Sequence, residues 1–493
     1  MHRIGFDNAK YVKLQSQNIR DRISQFGKLY LEFGGKLFDD YHASRVLPGF
    51  EPDSKVKMLL EMKDEAEIVI AISADDIERS KRRGDLGITY DEDTLRLIDA
   101  FRGIGLMIGS VVLTHYRGQP IADKFCKRLE ALGIRTYKHY IIPDYPSNVP
   151  LIVSDEGFGK NDYIETSRRL VVVTAPGPGS GKMATCLSQL YHEHKRGVNA
   201  GYAKFETFPI WNLPLKHPVN LAYEAATADL NDVNMIDPFH LEAYNEQTVN
   251  YNRDIEIFPV LRAIFERIYG ECPYKSPTDM GVNMAGKSII DHEVCREASC
   301  QEIIRRYYRT ACAVKQGNAG EAELQKLDLL MQTLKLSLTD RTTVAPALAE
   351  AQRTGEPAIA IELNDGRIIT GKTSSLLGAC SACLLNSLKT LAGIPDEVKL
   401  ISPTVIEPIC HLKVEHMGNR NPRLHTDETL VALAVSAATD KNADRAMDML
   451  TSLKGCEAHS TVILSQVDEG MFGRLGVNIT CEPTYETKRL YHK

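Results

Sequence analysis

The strongest candidate for chemistry is a glycine-rich segment that ends in a lysine, Gly177-Pro178-Gly179-Ser180-Gly181-Lys182. It follows the apolar, β-branched run Leu170–Thr174 and precedes a helical pattern over Met183–His194. Glycines let backbone N–H groups curve around an anion, the N-terminus of a helix adds partial positive charge, and the lysine adds a full charge. A strand, a glycine loop and a helix in this order predict a phosphate-binding loop.

The spacing within this loop departs from the standard phosphate-loop pattern. Three residues separate Gly177 from Gly181, where the standard pattern has four before Gly-Lys. Met183 occupies the position at which a Ser or Thr hydroxyl holds magnesium, so Ser180 or Thr185 would have to supply that hydroxyl. The alternative is a tight glycine turn that packs a helix against a sheet and leaves its lysine in solvent.

An acidic stretch downstream of the loop is the second candidate. It contains Glu224, Asp229 and Asp232 at spacings that allow one helix face or helix end to carry them. Carboxylates at such spacing bind magnesium or act as a base, so we expect Glu224 and Asp229 to be catalytic and Asp229 and Asp232 to hold a metal ion. The alternative is a charged helix surface followed by a turn at Pro238.

Three further segments could complete such a site. Gly34, Gly35 and Lys36 follow another apolar run and offer a second anion contact. The polar segment Thr278–Asn283 could close over the site from a loop between helices. His459 could reach it from a separate domain, as a catalytic residue, because small-molecule sites often lie between domains. The alternative is one site in each domain, with no shared chemistry.

The elements that must position these residues are typical of an α/β protein. Candidate strands separated by helical patterns predict a mostly parallel sheet in residues 1–240, and the loops after its strands then share one edge. The candidate strands are Leu29–Phe33, Ile68–Ile72, Met107–Leu113, Thr136–Ile142, Leu151–Val153, Leu170–Thr174 and Gly201–Phe205. The common edge would bring the glycine loop, the acidic stretch and Gly34–Lys36 together.

Two more regions follow this N-terminal α/β domain. Residues 241–350 carry long helical patterns, among them Asp291–Lys315 and Glu321–Leu338, and predict a helical subdomain. Residues 351–493 predict a smaller α/β domain that begins with a hairpin at Asn364-Asp365-Gly366 and has later strands at Val398–Ser402, Thr461–Ser465 and Val477–Cys481. The apolar positions of the two long helices suggest a homodimer.

Composition excludes several classes of protein. The chain has 493 residues and a formal net charge of -6, without the clustered basic surface of a nucleic-acid-binding protein. Its N-terminus has no apolar signal segment and no stretch is long enough to span a membrane, so we expect a cytoplasmic protein without membrane partners. The 11 cysteines are irregularly spaced, which favours reduced thiols over a disulfide framework.

Five segments together resemble one bacterial family, the one called domain of unknown function 1846. They are Leu31–Lys36, His42–Phe50, Ala175–Lys182, Pro277–Asn283 and Gly455–Thr461. The resemblance covers nearly the whole chain and implies a cytosolic bacterial protein with an α/β N-terminal region, a helical middle and a C-terminal α/β domain. It implies no established reaction. The zinc-protease label of some members is not adopted, because the chain has no His-Glu-x-x-His motif.

The sequence therefore predicts an enzyme that depends on a nucleotide or another phosphorylated ligand, either a phosphotransferase or an ATP-dependent ligase that acts on a small molecule. The expected cofactors are ATP, or another phosphorylated ligand, and Mg²⁺. Two alternatives stay open. The first is a regulatory protein that binds a phosphorylated metabolite without catalysis. The second is a metal-dependent hydrolase.

Overall fold

The computed structural model describes residues 3–34, 37–38, 40–83 and 87–487. The chain divides into two compact units, residues 4–299 and residues 300–493. The helix that contains the boundary begins at His292 and ends at Lys315. No described helix combines the length and the apolar composition needed to cross a bilayer.

The first unit is built on strands β1 to β9. They are β1 (Lys28–Phe33), β2 (Ala66–Ser73), β3 (Met107–Tyr116), β4 (Arg135–Tyr140), β5 (Leu170–Thr174), β6 (Ala200–Phe205), β7 (Asn234–Ile236), β8 (Val249–Tyr251) and β9 (Gly281–Val282). Seven of them form one sheet in the order β4-β3-β2-β5-β1-β6-β9, and every neighbouring pair is parallel. β7 and β8 form a separate antiparallel ribbon.

Helices α1 to α12 belong to this unit, and α13 carries the chain from it into the second unit. They are α1 (Asn8–Phe26), α2 (Tyr41–Val46), α3 (Ser54–Glu61), α4 (Ala74–Glu78), α5 (Tyr90–Gly103), α6 (Pro120–Ala131), α7 (Val149–Ile152), α8 (Lys182–Lys195), α9 (Pro218–Ala226), α10 (Pro238–Tyr244), α11 (Asn252–Tyr269), α12 (Pro277–Met280) and α13 (His292–Lys315). Strand β2 is buried along its whole length, as expected of a parallel strand covered on both faces.

The direction of the connections changes between β1 and β5. From β1 the chain crosses β5 to reach β2, and from β5 it crosses β1 to reach β6. Right-handed crossovers that run in opposite directions place their helices on opposite faces of the sheet. A crevice therefore opens at the carboxyl ends of these two adjacent strands, where ligands of parallel α/β sheets bind.

The second unit has a smaller, mixed sheet. Its strands are β10 (Ala358–Glu362), β11 (Ile368–Lys372), β12 (Glu457–Ser460) and β13 (Asn478–Cys481), in the order β11-β10-β12-β13 with only β12 and β13 parallel. Its helices are α14 (Glu321–Leu334), α15 (Val344–Thr354), α16 (Ala379–Ala392), α17 (Pro403–His411), α18 (Thr426–Ala437), α19 (Lys441–Asp448) and α20 (Gln466–Arg474). Ile359, Ile361, Leu384 and Leu388 are central to its core.

The α/β class with a large parallel sheet and a smaller second sheet is confirmed, but three predicted strands are wrong. Leu151–Val153 lies at the end of α7, because Asn148 caps that helix by accepting a hydrogen bond from the Leu151 amide. Val398–Ser402 contains no strand and ends at the residue that caps α17. Strand β12 ends just before Thr461–Ser465, because the chain there turns toward the cap of α20. Short apolar runs do not distinguish strands from buried turns.

Candidate functional site

The glycine segment forms the turn between β5 and α8, at the carboxyl end of the central strand. Gly179 and Gly181 have φ angles of +75° and +80°, which side chains with a Cβ rarely adopt. Ser180 donates a hydrogen bond to the Gly177 carbonyl at 2.8 Å, and Thr114 of β3 donates one to the Ser180 carbonyl, also at 2.8 Å. These bonds fix the turn against the neighbouring strand end.

Two glycines of the turn also lie too close to neighbours to be replaced without movement. A Cβ on Gly177 would lie 2.2 Å from the hydroxyl of Tyr90, and a Cβ on Gly181 would lie 3.0 Å from Thr114. The glycines are therefore explained in part by packing, as the alternative interpretation of the sequence required. Packing does not account for the lysine that follows, or for the cavity beside the turn.

A cavity of about 330 Å³ lies between this turn and helix α11. One side is polar and is formed by the turn and the strand ends. The opposite side is apolar and is formed by α11 residues. The lining residues are Glu32, His115, Tyr145, Pro146, Gly179, Ser180, Gly181, Lys182, Met183, Ala184, Ile257, Val260, Leu261 and Ile264. Small-molecule sites have this combination of an apolar wall and a few convergent polar groups.

The first turn of α8 supplies anion-binding groups to the cavity. Its first intrahelical hydrogen bond runs from the Thr185 amide to the Gly181 carbonyl, at 2.9 Å. The preceding amides, at positions 182–184, belong to the set that a helix leaves without an internal acceptor. Lys182 forms no ion pair with any carboxylate in the described part of the chain, so its charge is not neutralised there. Together these groups favour an anion.

Glu32 supplies a carboxylate to the same cavity. Its side chain, at the end of β1, is 8% exposed and accepts a hydrogen bond from the Tyr202 hydroxyl at 2.6 Å. Burial, followed by the nearby charge of Glu32, raises the pKa of Tyr202 well above its usual value. The same two causes, in the same order, raise the pKa of Cys186, although Lys182 opposes them. Both neighbours therefore remain protonated around the carboxylate.

A cluster of buried and half-buried charged side chains lies near Glu32, at the end of β6 and on α11. The Lys204 ammonium donates to Asp254 at 2.5 Å and lies 2.9 Å from a Glu206 oxygen. Burial lowers the pKa of Lys204, but Asp254, Glu206 and Glu32 raise it by more, so its ammonium persists. Burial raises the pKa of Glu206 above its usual range even though Lys204 opposes this. Asp254 and Glu206 thus share one ammonium with Glu32 nearby, and the charge of Asp254 adds to the effect of burial in raising the pKa of Glu206.

His115 is a second polar side chain that lines the cavity outside the predicted loop. It follows Thr114 near the end of β3 and has a φ angle of +51°, which is uncommon outside glycine. Its Nδ1 lies 3.2 Å from the hydroxyl of Ser73. The Gln119 amide donates to the His115 carbonyl at 2.9 Å, which holds the unusual backbone in place. Backbone of this kind often occurs at ligand sites.

Of the predicted magnesium ligands, Ser180 lines the cavity, but Thr185, Asp229 and Asp232 do not. Thr185 is fully buried inside α8, and its hydroxyl has no partner among the described residues. Asp229 is exposed on a turn after α9. Asp232 is buried and accepts a hydrogen bond from Arg253 at 2.8 Å. The described part of the chain contains no group of three or more His, Cys, Asp or Glu side chains arranged to hold a metal ion.

Two predicted catalytic residues have partners within the fold. Glu224 is buried and accepts a hydrogen bond from the Asn234 amide at 2.8 Å, which ties α9 to β7. His459 lies in the second unit and is fully buried on β12. Its Nδ1 lies 2.9 Å from Thr480 and its Nε2 lies 3.2 Å from Glu482. Burial lowers the pKa of His459, although Glu482 opposes this.

Of the remaining predicted segments, one lies partly outside the described residues. Gly34 directly follows β1, but Gly35 and Lys36 lie outside the described residues. In the segment Thr278–Asn283, the Thr278 hydroxyl donates to Asp237 at 2.6 Å and Asn283 donates to the Pro209 carbonyl at 2.8 Å. This segment therefore anchors the loop after β6 and the N-terminal cap of α10, and it is not among the residues that line the cavity.

The sequence signals for Glu32 and His115 are weak but present. Each is a polar residue at the end of an apolar run, where a parallel strand delivers its side chains to the ligand edge of the sheet. A single polar residue at such a position is common, and only the strand order shows that β1 is adjacent to β5. Glycine patterns are visible in the sequence, whereas the neighbours of a strand are not.

Comparison with known proteins shows that the chain is similar to the members of one family. The family described as domain of unknown function DUF1846, N-terminal, matches residues 4–335, and its C-terminal counterpart matches residues 339–491. A UPF0371 protein of Streptococcus thermophilus strain CNRZ 1066 is 58% identical over 494 residues, with 100% of both chains covered. A UPF0371 protein of Streptococcus pneumoniae strain Hungary19A-6 is also 58% identical, again over 100% of both chains.

Proposed function

The chain belongs to the DUF1846 family, and we propose that it is an enzyme that binds a nucleotide or another phosphorylated small molecule in the crevice between β1 and β5. The observation that carries the proposal is the position of the α8 N-terminus and Lys182 in the wall of a cavity at this crevice. A glycine turn that only packed a helix against a sheet would need neither the cavity nor an unpaired lysine.

The shape of the cavity indicates how the ligand would lie. Its phosphate would accept hydrogen bonds from the amides at positions 182–184 and pair with Lys182. The apolar part would contact Ile257, Val260, Leu261 and Ile264 on α11. A volume of about 330 Å³ is at the low end of the range for small-molecule sites. A compact phosphorylated metabolite or the phosphate end of a nucleotide suits this volume.

The proposed reaction is phosphoryl transfer, or activation of a small acid by ATP. Phosphoryl transfer is catalysed mainly by positioning and by neutralising charge on the phosphoryl oxygens, and Lys182 with the helix amides would supply both. Magnesium would be held largely by the phosphates, because Mg²⁺ commonly needs only one or two protein carboxylates in such sites. The proposed protein is cytoplasmic and acts as a homodimer.

A second candidate function is a regulatory protein that binds a phosphorylated metabolite without turnover. One observation favours it. The hydroxyl of Thr185, which the sequence offers as a magnesium ligand, is buried inside α8. Sensing a metabolite needs no held metal ion, whereas ATP-dependent transfer does. Measurable affinity for a phosphorylated ligand without release of inorganic phosphate or transfer products would favour this candidate.

The test of the proposal is the affinity of a non-hydrolysable ATP analogue, measured by calorimetry with magnesium present. We expect Lys182→Ala to weaken binding about tenfold or more, because a charge-assisted hydrogen bond contributes about 1.5–3 kcal/mol. Lys127→Ala is the matched control, since Lys127 is exposed on α6 and does not line the cavity. Equal affinities of wild type and Lys182→Ala, for the analogue and for inorganic phosphate, would refute the proposal.

A further inference from the structure

The cavity wall carries one acidic group beside its anion-binding end. Glu32 is more than nine-tenths buried, and Tyr202 is the only side chain in the described part of the chain that donates a hydrogen bond to its carboxylate. Both Glu32 and the first turn of α8 line the cavity. A ligand whose phosphate is bound at α8 therefore has a carboxylate within the same small volume.

Residues of the neighbouring strand β6 hold this carboxylate in place. Glu32 and Lys204 are register partners on the neighbouring parallel strands β1 and β6, and Tyr30 and Tyr202 are the pair two residues earlier. Residues two apart in a strand share a face, so Tyr202 and Lys204 flank Glu32 on one side of the sheet. An ammonium group on the neighbouring strand and a hydroxyl donor therefore lie beside this buried carboxylate.

We propose that Glu32 selects phosphorylated ligands that also carry an amino or hydroxyl group, by accepting a hydrogen bond from that group. The proposal rests on the proposed phosphate site at α8. Both donor groups match a carboxylate, which in its charged form only accepts hydrogen bonds. A second anionic group on the ligand would instead be repelled, so the ligand class has one anionic end and one donor end.

The surroundings of Glu32 favour an organic donor over a divalent metal ion as its partner. The Lys204 ammonium is its neighbour across the strands, and that positive charge opposes a cation of charge two about twice as strongly as a singly charged amine and does not oppose a hydroxyl. Asp254 and Glu206, the nearest other carboxylates of the cluster, are engaged by the same ammonium. A protonated amine or a hydroxyl needs only one acceptor, and Glu32 provides it.

The test compares three small phosphate esters of similar size by calorimetry. The esters are 2-aminoethyl phosphate, which adds a donor, ethyl phosphate, which adds none, and phosphoglycolate, which adds a carboxylate. For the wild-type chain we expect the amine to improve affinity about tenfold over ethyl phosphate and the carboxylate to weaken it. In Glu32→Gln these differences shrink to less than about threefold, because Gln is uncharged and keeps the bond from Tyr202. A fourth ester, 2-hydroxyethyl phosphate, then shows whether a hydroxyl group or an amine is the preferred donor.

Two control variants and three possible outcomes distinguish a failure of this inference from a failure of the proposed function. Glu156→Gln, at an exposed position outside the cavity wall, should retain the wild-type order, and Glu32→Asp should retain a preference for the amine. If ethyl phosphate binds to wild type but the order of affinities is the same in Glu32→Gln, the selection by Glu32 is refuted while the phosphate site stands. If magnesium strengthens binding to wild type and not to Glu32→Gln, the carboxylate holds a metal ion and the inference is wrong. If no ester binds to wild type, both proposals fail.

Discussion

At the scale of single residues, a cluster of charged side chains lies at the end of β6. Lys204 is shared by Glu206 and Asp254, and Glu32 lies across the strands from it. A proton on Glu206 lowers the repulsion within this cluster. Burial thus raises the pKa of one carboxyl group of this cluster, and perturbed pKa values of this kind often occur at functional sites.

Glu206→Gln should make the stability of the first unit less dependent on pH. The folded-state pKa of Glu206 is raised by burial above the unfolded value of about 4.3. Its contribution to stability is therefore fully present at low pH and is lost as pH rises above that value. We expect Gln to match wild type near pH 4.5 and to be more stable at pH 8 by at least about 1 kcal/mol.

Urea denaturation followed by fluorescence at the two pH values would measure this difference. If Glu206→Gln is instead the less stable protein at pH 8, Glu206 is ionised in the folded state and its ion pair with Lys204 stabilises the fold. Glu156→Gln serves as a control at an exposed site and should show no pH-dependent difference.

At residue scale the sequence predicts the glycine turn but not its companions. Gly177–Lys182 is recognisable because glycine, lysine and the order of strand and helix are local properties of the chain. Glu32 is far from this turn in the sequence and lies beside it only through the pairing of β1 with β5. The roles predicted for Glu224, Asp229, Asp232 and His459 stay predictions without support from the cavity.

At the scale of elements, Arg341 shows how the second unit fastens a turn to its sheet. Arg341 is 1% exposed and follows the short helical turn Leu338–Asp340. Its guanidinium donates to Glu457 at 2.6 Å, to Thr480 at 2.9 Å and to the Asn478 carbonyl at 2.7 Å. One side chain thereby ties the chain before α15 to both β12 and β13.

Replacing Arg341 with Met should destabilise the second unit by about 3 kcal/mol or more, because removing one partner of a buried ion pair leaves polar groups without compensation. Denaturant unfolding of the full chain would measure the effect. Arg353→Met is the matched control, since Arg353 is an exposed residue paired with Glu350, and it should change stability little. Equal effects of the two substitutions would show that the Arg341 contacts are not important for stability.

Elements were predicted best where burial is strongest. Leu170–Thr174 is a strand with the predicted bounds, because a β-branched run in the centre of a parallel sheet has no competing structure. The hairpin at Asn364-Asp365-Gly366 is also present, with Gly366 at a φ of +85°. The strands predicted at Val398–Ser402 and Thr461–Ser465 failed, because Ser402 and Ser465 begin helices as caps and local capping outweighed apolar content.

At the scale of the whole molecule, the sequence predicts association through its long helices. Both α13 and α14 are present, and Leu329 on α14 is 62% exposed. Light scattering of the purified chain at micromolar concentration should give twice the mass of one chain if these helices form a symmetric dimer. The mass of a single chain at that concentration would contradict the prediction. If the mass is that of a dimer, Leu329→Glu tests whether this helix lies in the interface.

The measurement that tests the central claim most directly is a crystal structure of the chain soaked with a non-hydrolysable ATP analogue and with inorganic phosphate in separate crystals. We expect density for a phosphate group on the amides at positions 182–184. The Lys182 ammonium should contact this phosphate, and Glu32 should face the remainder of the analogue. Density for the anion elsewhere in both crystals, with this turn empty at saturating ligand, would contradict the account and leave Gly177–Lys182 as a packing turn.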